Sequence, residues 1–299
     1  MAHHPVVETG FGRTGPIRTV SASTLIKGTW ALSLQMEHYD FDSFSDRELL
    51  AFSSSGLDVH STDSITQGFL VGSYGITDDF TVGLKLPYVY FDNIREAHAN
   101  EPGEVHIHGD ARGIGDLSVF GQYRFFNASA TEASVLFGLE FPTGRTDDED
   151  IDDVRFETEF QPGSGSWDPF FGIAAQRSFG KIGLYTSLLY AVITEGSQDT
   201  DLGDCFSYNA AISYTPISGE LTWDLLLELN GEFKHKQQID GVDDPNSGGN
   251  TVLISPGMRL GWNKRISAFF SFGIPVAQDL NGVQTDLDYR ILTGIGVSF

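Results

Sequence analysis

"LTWDLLLELNGEF", residues 221–233, alternates two kinds of side chain. Trp223, Leu225, Leu227 and Leu229 fall on one face, and Asp224, Glu228, Asn230 and Glu232 on the other. A period of two is that of a β-strand, whose successive side chains point to opposite sides of the sheet. Alternation alone does not say which face is wet. That depends on how the rest of the chain uses the same two faces.

The pattern recurs from residue 28 to the end of the chain. "TWALSLQMEHY" (29–39) sets Trp30, Leu32, Leu34 and Met36 against Ser33, Gln35, Glu37 and Tyr39. "FTVGLKLPYVYF" (80–91), "GDLSVFGQYRFF" (115–126), "EASVLFGLEF" (132–141) and "FSYNAAISY" (206–214) repeat it. So do weaker segments at 63–75, 168–179, 181–193, 251–262 and 267–277, and the closing "DYRILTGIGVSF" (288–299). With the opening stretch these make about twelve strands. Connectors near 76–79, 127–131, 179–181, 216–220 and 263–265 are short. Those near 42–62, 92–114, 144–167, 194–204, 236–250 and 278–286 are long and polar. Short turns on one side and long loops on the other predict a membrane barrel, its turns periplasmic and its loops extracellular.

The faces decide the orientation. Glu37, Lys85, Arg124, Glu140, Asp224, Glu228, Arg259 and Arg290 share the polar face, with occasional bulk such as Phe120 and Phe269. A soluble barrel would put that face outside, leaving an interior about twelve strands wide, too wide to fill with apolar side chains. Inverted, the polar face lines a lumen and the apolar face meets lipid. We therefore expect an all-β, transmembrane antiparallel barrel over 28–299, with 1–27 an N-terminal extension that enters or caps the lumen. The last strand must pair with the first, since an open edge has no partner in hydrocarbon. Trp30, Tyr39, Tyr90, Tyr123, Phe125, Tyr214, Trp223, Trp262 and Phe299 are expected in interfacial girdles. Arg177, on the lipid face, lies close enough to a short turn to snorkel.

Composition agrees. The 34 glycines, 23 phenylalanines and 10 tyrosines favour strands and tight turns. A net charge of −23 argues against nucleic acid as a partner. The single cysteine, Cys205, excludes an internal disulfide and a cysteine-based zinc cluster, and reads as inert. "MAHHPVVETG" carries no leader pattern, so the strand pattern implies the mature form of an exported chain.

"GIGDLSVFGQYRF" (113–125), "LEFPTGR" (139–145), "GSGSWDPFFGIA" (163–174) and "FGKIGLYTSLLYAVITEG" (179–196) resemble the Gram-negative outer-membrane proteins grouped as the MetA-pathway-of-phenol-degradation family. The likeness runs from roughly residue 15 to the end. It implies an outer-membrane location and a channel for hydrophobic or aromatic compounds. It assigns no functional residue.

Two loops carry further chemistry. "GRTDDEDIDDVRFETEF" (144–160) offers carboxylates for a divalent cation, Asp147, Asp148 and Asp150 among them, without the twelve-residue calcium-loop pattern. As a plain alternative it is a solvated loop. "HANEPGEVHIHGD" (98–110) places His106 and His108 on one face of an extended segment, where they and His98 or Asp110 can ligate a transition metal. A polar exposed loop is the bland reading. His3 and His4 form a further pair near the amine. Gly113, Gly115, Gly163 and Gly165 lack a P-loop lysine and suit flexibility or an inward-folded loop instead.

The expected function is passive uptake or efflux of small solutes through a lumen of mixed charge, in contact with outer-membrane lipids and lipopolysaccharide, with no required cofactor. The alternative is a metal-binding or scaffold barrel working with periplasmic or surface partners. A lipid-facing hydrolase built on His38 or His235 and a serine is the weakest reading, because nothing in the spacing demands it. Arg290 is expected in the lumen beside Glu37 or Asp288, while Arg124 and Glu140 lie too far apart along their strands to touch.

Overall fold

The computed structural model describes residues 15–98, 100 and 103–299. Its wall is built from β1 (Trp30–Asp42), β2 (Ser64–Thr77), β3 (Phe80–Ala97), β4 (Leu117–Ala128), β5 (Thr131–Phe141), β6 (Asp168–Phe179), β7 (Ile182–Ala191), β8 (Cys205–Ile217), β9 (Leu221–Lys234), β10 (Gly249–Trp262), β11 (Ile266–Leu280) and β12 (Asp286–Ser298). Each pairs antiparallel with its neighbours in the sequence. β1 pairs with β12, and that closes the ring. At the seam Trp30 N donates to Phe299 O at 2.8 Å and Phe299 N to Trp30 O at 3.0 Å. No edge is left in the wall, as hydrocarbon requires. Among the described residues no helix is long and apolar enough to cross a membrane; strands do the crossing.

The two faces of β9 show the inversion. Leu225, Leu227 and Leu229 point outward and are exposed, Leu227 to 49%. Asp224, Glu228 and Asn230 point inward, Glu228 at 1%. Trp30, Tyr123, Phe125, Tyr214, Trp262 and Phe299 are outward and exposed near the short-turn end. Tyr39 departs from the girdle expected of it. It shares the parity of Glu37 and is buried in the lumen. Arg177 faces out and lies over the Phe179 ring at 5.0 Å.

The segment 92–114 is not the plain loop that its polarity suggests. β3 continues past the wall and pairs with His106–Ile114, register shifts marking where the ladder bends. Val59–Ser61 adds to the other side of β3. Helix α1 (Asp46–Ser54) caps this rim, its start held by Ser45 N donating to Glu48 Oε2 at 2.9 Å. Leu49 buries against Val59 and Ala97.

The inner face is less uniformly polar than the alternation suggests. Phe69, Val71, Phe120, Leu136, Phe170, Ala174 and Leu189 point inward and form an apolar cluster with Val20 and Ala22. Cys205 is buried in the same cluster. Chain inside the barrel turns part of a lumen wall into a protein core.

Candidate functional site

Residues 15–27 arch through the lower lumen, and inward side chains hold their backbone. Gly15 N donates to Asp224 Oδ2 at 3.3 Å, and Arg259 Nη2 donates to Pro16 O at 2.8 Å. Both side chains lie near the short-turn ends of their strands. Higher up, Glu228 takes hydrogen bonds from the backbone of Ile17, from Arg18 N at 3.0 Å, and from Thr19 N and Oγ1 at 2.8 and 2.9 Å. The arch then descends. Val20 N donates to Ser187 Oγ, Ser21 Oγ to Gln176 Oε1 and Gln122 Nε2 to Ser21 O. Leu25 N reaches Thr81 Oγ1 at 2.8 Å and Lys27 N reaches Asp78 Oδ1 at 2.9 Å, beside the periplasmic turns.

At the top of the arch, Arg18 Nη1 donates to Glu37 Oε1 at 2.8 Å. Arg290 Nε lies 3.7 Å from the same oxygen, and its Nη2 donates to Asn230 Oδ1 at 2.6 Å and Ser255 Oγ at 3.2 Å. Paired, hydrogen-bonded charges of this kind are tolerated away from water; unpaired ones are not. Asp288 is exposed and takes no part, because a register shift in the β1–β12 ladder between Asp40 and Phe41 breaks the alternation there.

The other inward charges do not join this group. Lys85, Ser118 and Glu140 occupy facing positions on β3, β4 and β5, with Ser118 Oγ donating to Glu140 Oε2 at 2.9 Å. Lys85 Nζ also lies 4.0 Å over the Phe69 ring. Arg124 sits at the periplasmic rim, bound to Glu132 at 2.7 Å and Asp79 at 2.8 Å, and so far from Glu140. The inward charges are thus spread over several depths, and one set binds the arch.

The upper lumen is filled by the inward-folded loop 142–167. Asp116 anchors it, accepting from Gly144 N at 2.7 Å, Ser164 N at 2.6 Å and Ser164 Oγ at 2.8 Å. A Cβ on Gly144 would stand 2.7 Å from the carbonyl carbon of Gly115 and 2.8 Å from Gly163 Cα, so only glycine fits this crossing. Phe156 and Phe160 pack from the loop onto Tyr39, Phe41, Ile65, Val89, Phe91, Leu253 and Leu287. Nothing in the local spacing marks Phe156 and Phe160 as core; the acid run before them reads as solvated.

Among the described residues, three spaces lie beside the arch and the outer rim. An outer vestibule of about 320 Å³ is lined by His60, Glu96, His98, Glu157 and Glu159. A cleft of about 30 Å³ lies between Arg18, Arg290, Tyr39, Phe41, Leu253 and Leu287. A periplasmic mouth of about 930 Å³ opens beside Gly15, Lys181 and Tyr185.

The loop residues singled out in the sequence part company. His98, His106 and His108 come together at the vestibule, with ring centroids 5.0 Å apart for the first pair and 6.4 Å for the second. Asp150 joins them, 2.8 Å from His108 Nδ1. Asp147 and Asp148 do not; they pair with Arg145 at 3.1 and 2.8 Å. His60 and Glu96, absent from any sequence motif, complete the group. Burial works against a charge on His60, but the hydrogen bond to Glu96 and the carboxylates of Glu157 and Glu159 outweigh it and push its pKa up to about 10. Crowding by surrounding protein, with Glu159 and Glu96 beside it, pushes the half-exposed Glu157 up despite His60. His3 and His4 lie outside the described residues. His38 Nδ1 meets Thr66 Oγ1 at 2.8 Å, and His235 packs edge-on to Phe233.

Residues 45–280 match the family described as "MetA-pathway of phenol degradation". The chain belongs to this family. Among solved structures it is similar to an outer-membrane channel from Pseudomonas putida F1, with 14% identity and a TM-score of 0.64 over 93% of this chain and 98% of that one. The β-domain of the Bordetella autotransporter BrkA superposes with a TM-score of 0.50 at 10% identity, over 92% of this chain and all of that one. No curated protein matches the sequence. For this family member the likenesses show the fold, a bacterial outer-membrane barrel.

Proposed function

We propose that this barrel is a gated outer-membrane channel that passes small solutes with an apolar, aromatic body and a polar end, without chemistry. The observation that carries this reading is the cleft between Arg18 of the arch and the barrel wall. One wall is Tyr39, Phe41, Leu253 and Leu287, and the other is the Arg18–Glu37–Arg290 network with Asn230 and Thr251. At about 30 Å³ the slot is too small for a ring while the arch is in place, but its apolar wall and convergent polar groups would face a ring with a polar substituent once the arch shifts. Arginine faces add attraction for aromatic rings. Wider spaces lie toward the outer rim and the periplasmic turns, and on this proposal a displacement of the arch at Arg18 opens a way between them.

The test is flux into proteoliposomes of two zwitterions of similar size that barely cross bare lipid, phenylglycine and glutamine. Phenylglycine should enter several-fold faster, and a Tyr39→Ala/Phe41→Ala variant should lose the preference. Equal rates would remove the aromatic selectivity. Flux of both at the rate of protein-free liposomes would remove the channel.

A further inference from the structure

The outer rim carries imidazoles and carboxylates that passage through the lumen does not use. Glu96, at the outer end of β3, stands among three rings. Its Oε1 lies 3.0 Å from His98 Nδ1, and its Oε2 lies 3.5 Å from His108 Nε2 and 3.0 Å from His60 Nε2. The ligating atoms of Glu96, His98 and His108 all lie within 4.8 Å of one another. Tetrahedral bonds of about 2.0–2.2 Å set neighbouring ligand atoms about 3.4 Å apart. The first two separations bracket that edge.

His108 supplies a second, independent observation. Its Nδ1 is held by Asp150 Oδ2 at 2.8 Å, while its Nε2 is buried and directed at Glu96, 3.5 Å from Oε2. A ring fixed by a carboxylate through one nitrogen presents the lone pair of the other, which is how metal-binding histidines are oriented. The donors also come from separate elements. Glu96 belongs to β3, His108 to the rim strand His106–Ile114, and Asp150 to the inward-folded loop.

We propose that Glu96, His98 and His108 bind one divalent transition-metal ion of the zinc class at the mouth of the vestibule, with Asp150 as the positioning residue for His108. Two imidazoles and a carboxylate form a mixed nitrogen–oxygen set, which suits zinc, cobalt, nickel or copper. Calcium asks for six to eight oxygens, which these three side chains do not supply. Three protein ligands leave a fourth position for water. The ion would join the rim hairpin to the loop through Asp150, so that loop opening and metal release are linked.

The probe is Co(II), whose visible absorption reports tetrahedral nitrogen–oxygen ligation. It is titrated into the folded full-length protein in detergent, free of any tag, in a His3→Ala/His4→Ala background that removes the other adjacent histidine pair. The expected result is one equivalent bound at micromolar concentration and displaced by Zn(II). Asp150→Asn should weaken binding about 10- to 100-fold. His98→Ala/His108→Ala should abolish it while the heat-modifiable gel mobility of the folded barrel persists. If the double variant fails to fold, His108→Gln serves in its place, with the same loss expected. Millimolar or multi-equivalent binding, binding unchanged in the histidine variants, or equal competition by Ca(II) would overturn the site. None of these outcomes depends on solute passage.

Discussion

Glu228 is legible in the sequence as far as parity reaches. It alternates with leucines and so faces the lumen. What lies opposite is not legible, because a period of two fixes a face and says nothing of its partner across the bore. The partner is the stretch Ile17–Thr19, which offers one carboxylate three backbone N–H donors and the Thr19 hydroxyl. Hydrogen bonds to a charged group contribute about 1.5–3 kcal/mol each in mutational series. Glu228→Gln keeps the volume but replaces one acceptor oxygen with a donor that faces other donors. We expect this substitution to loosen the arch by about 3 kcal/mol while the barrel still folds. Single-channel records should then show a larger mean conductance with frequent transitions. A record identical to wild type would mean that Glu228 does not hold the closed state. Tyr39 teaches the same limit from the other side: an aromatic near a strand end suggests a girdle, but its parity with Glu37 takes it inside.

At the scale of elements, the strands were readable and the loop 142–167 was not. Strand alternation is a local signal with a fixed period, whereas the path of a loop is set by contacts distant in sequence. Eight acidic residues in 147–159 suggest exposure, and Asp147 indeed stays at the surface with Arg145, while Asp148, paired with the same arginine, is largely covered. Past them the loop turns inward on the Gly115–Gly144–Gly163 crossing and the Asp116 carboxylate. The glycines hinted at an inward-folded loop; the aromatic pair Phe156 and Phe160 that it delivers gave no signal. Asp116→Ala removes three hydrogen bonds to a buried carboxylate, a cost of about 3 kcal/mol or more to the docked loop. Limited proteolysis of the folded variant from the outer side should cut within 146–160, where wild type resists. Equal resistance would show that Phe156 and Phe160 alone suffice to hold the loop.

The whole molecule is an inverted protein: leucines outside, carboxylates inside, and a sheet whose last strand must meet its first. That architecture follows from the sequence, since no soluble packing of twelve such strands fills its own interior. The lumen contents do not follow, because segments inside a barrel obey no period. Arch and loop occupy the bore from opposite ends, and a cleft of only about 30 Å³ remains beside Arg18. We propose that residues 15–27, held across the lower bore by Asp224, Glu228 and Arg259, close this barrel from the periplasmic side. Planar-bilayer recording of wild type beside a variant lacking residues 2–24 tests it most directly. We predict low, intermittent conductance for wild type and a stable conductance several-fold higher for the deletion, with unchanged heat-modifiable mobility. Equal conductances in the two folded proteins would mean that the arch does not occlude the bore.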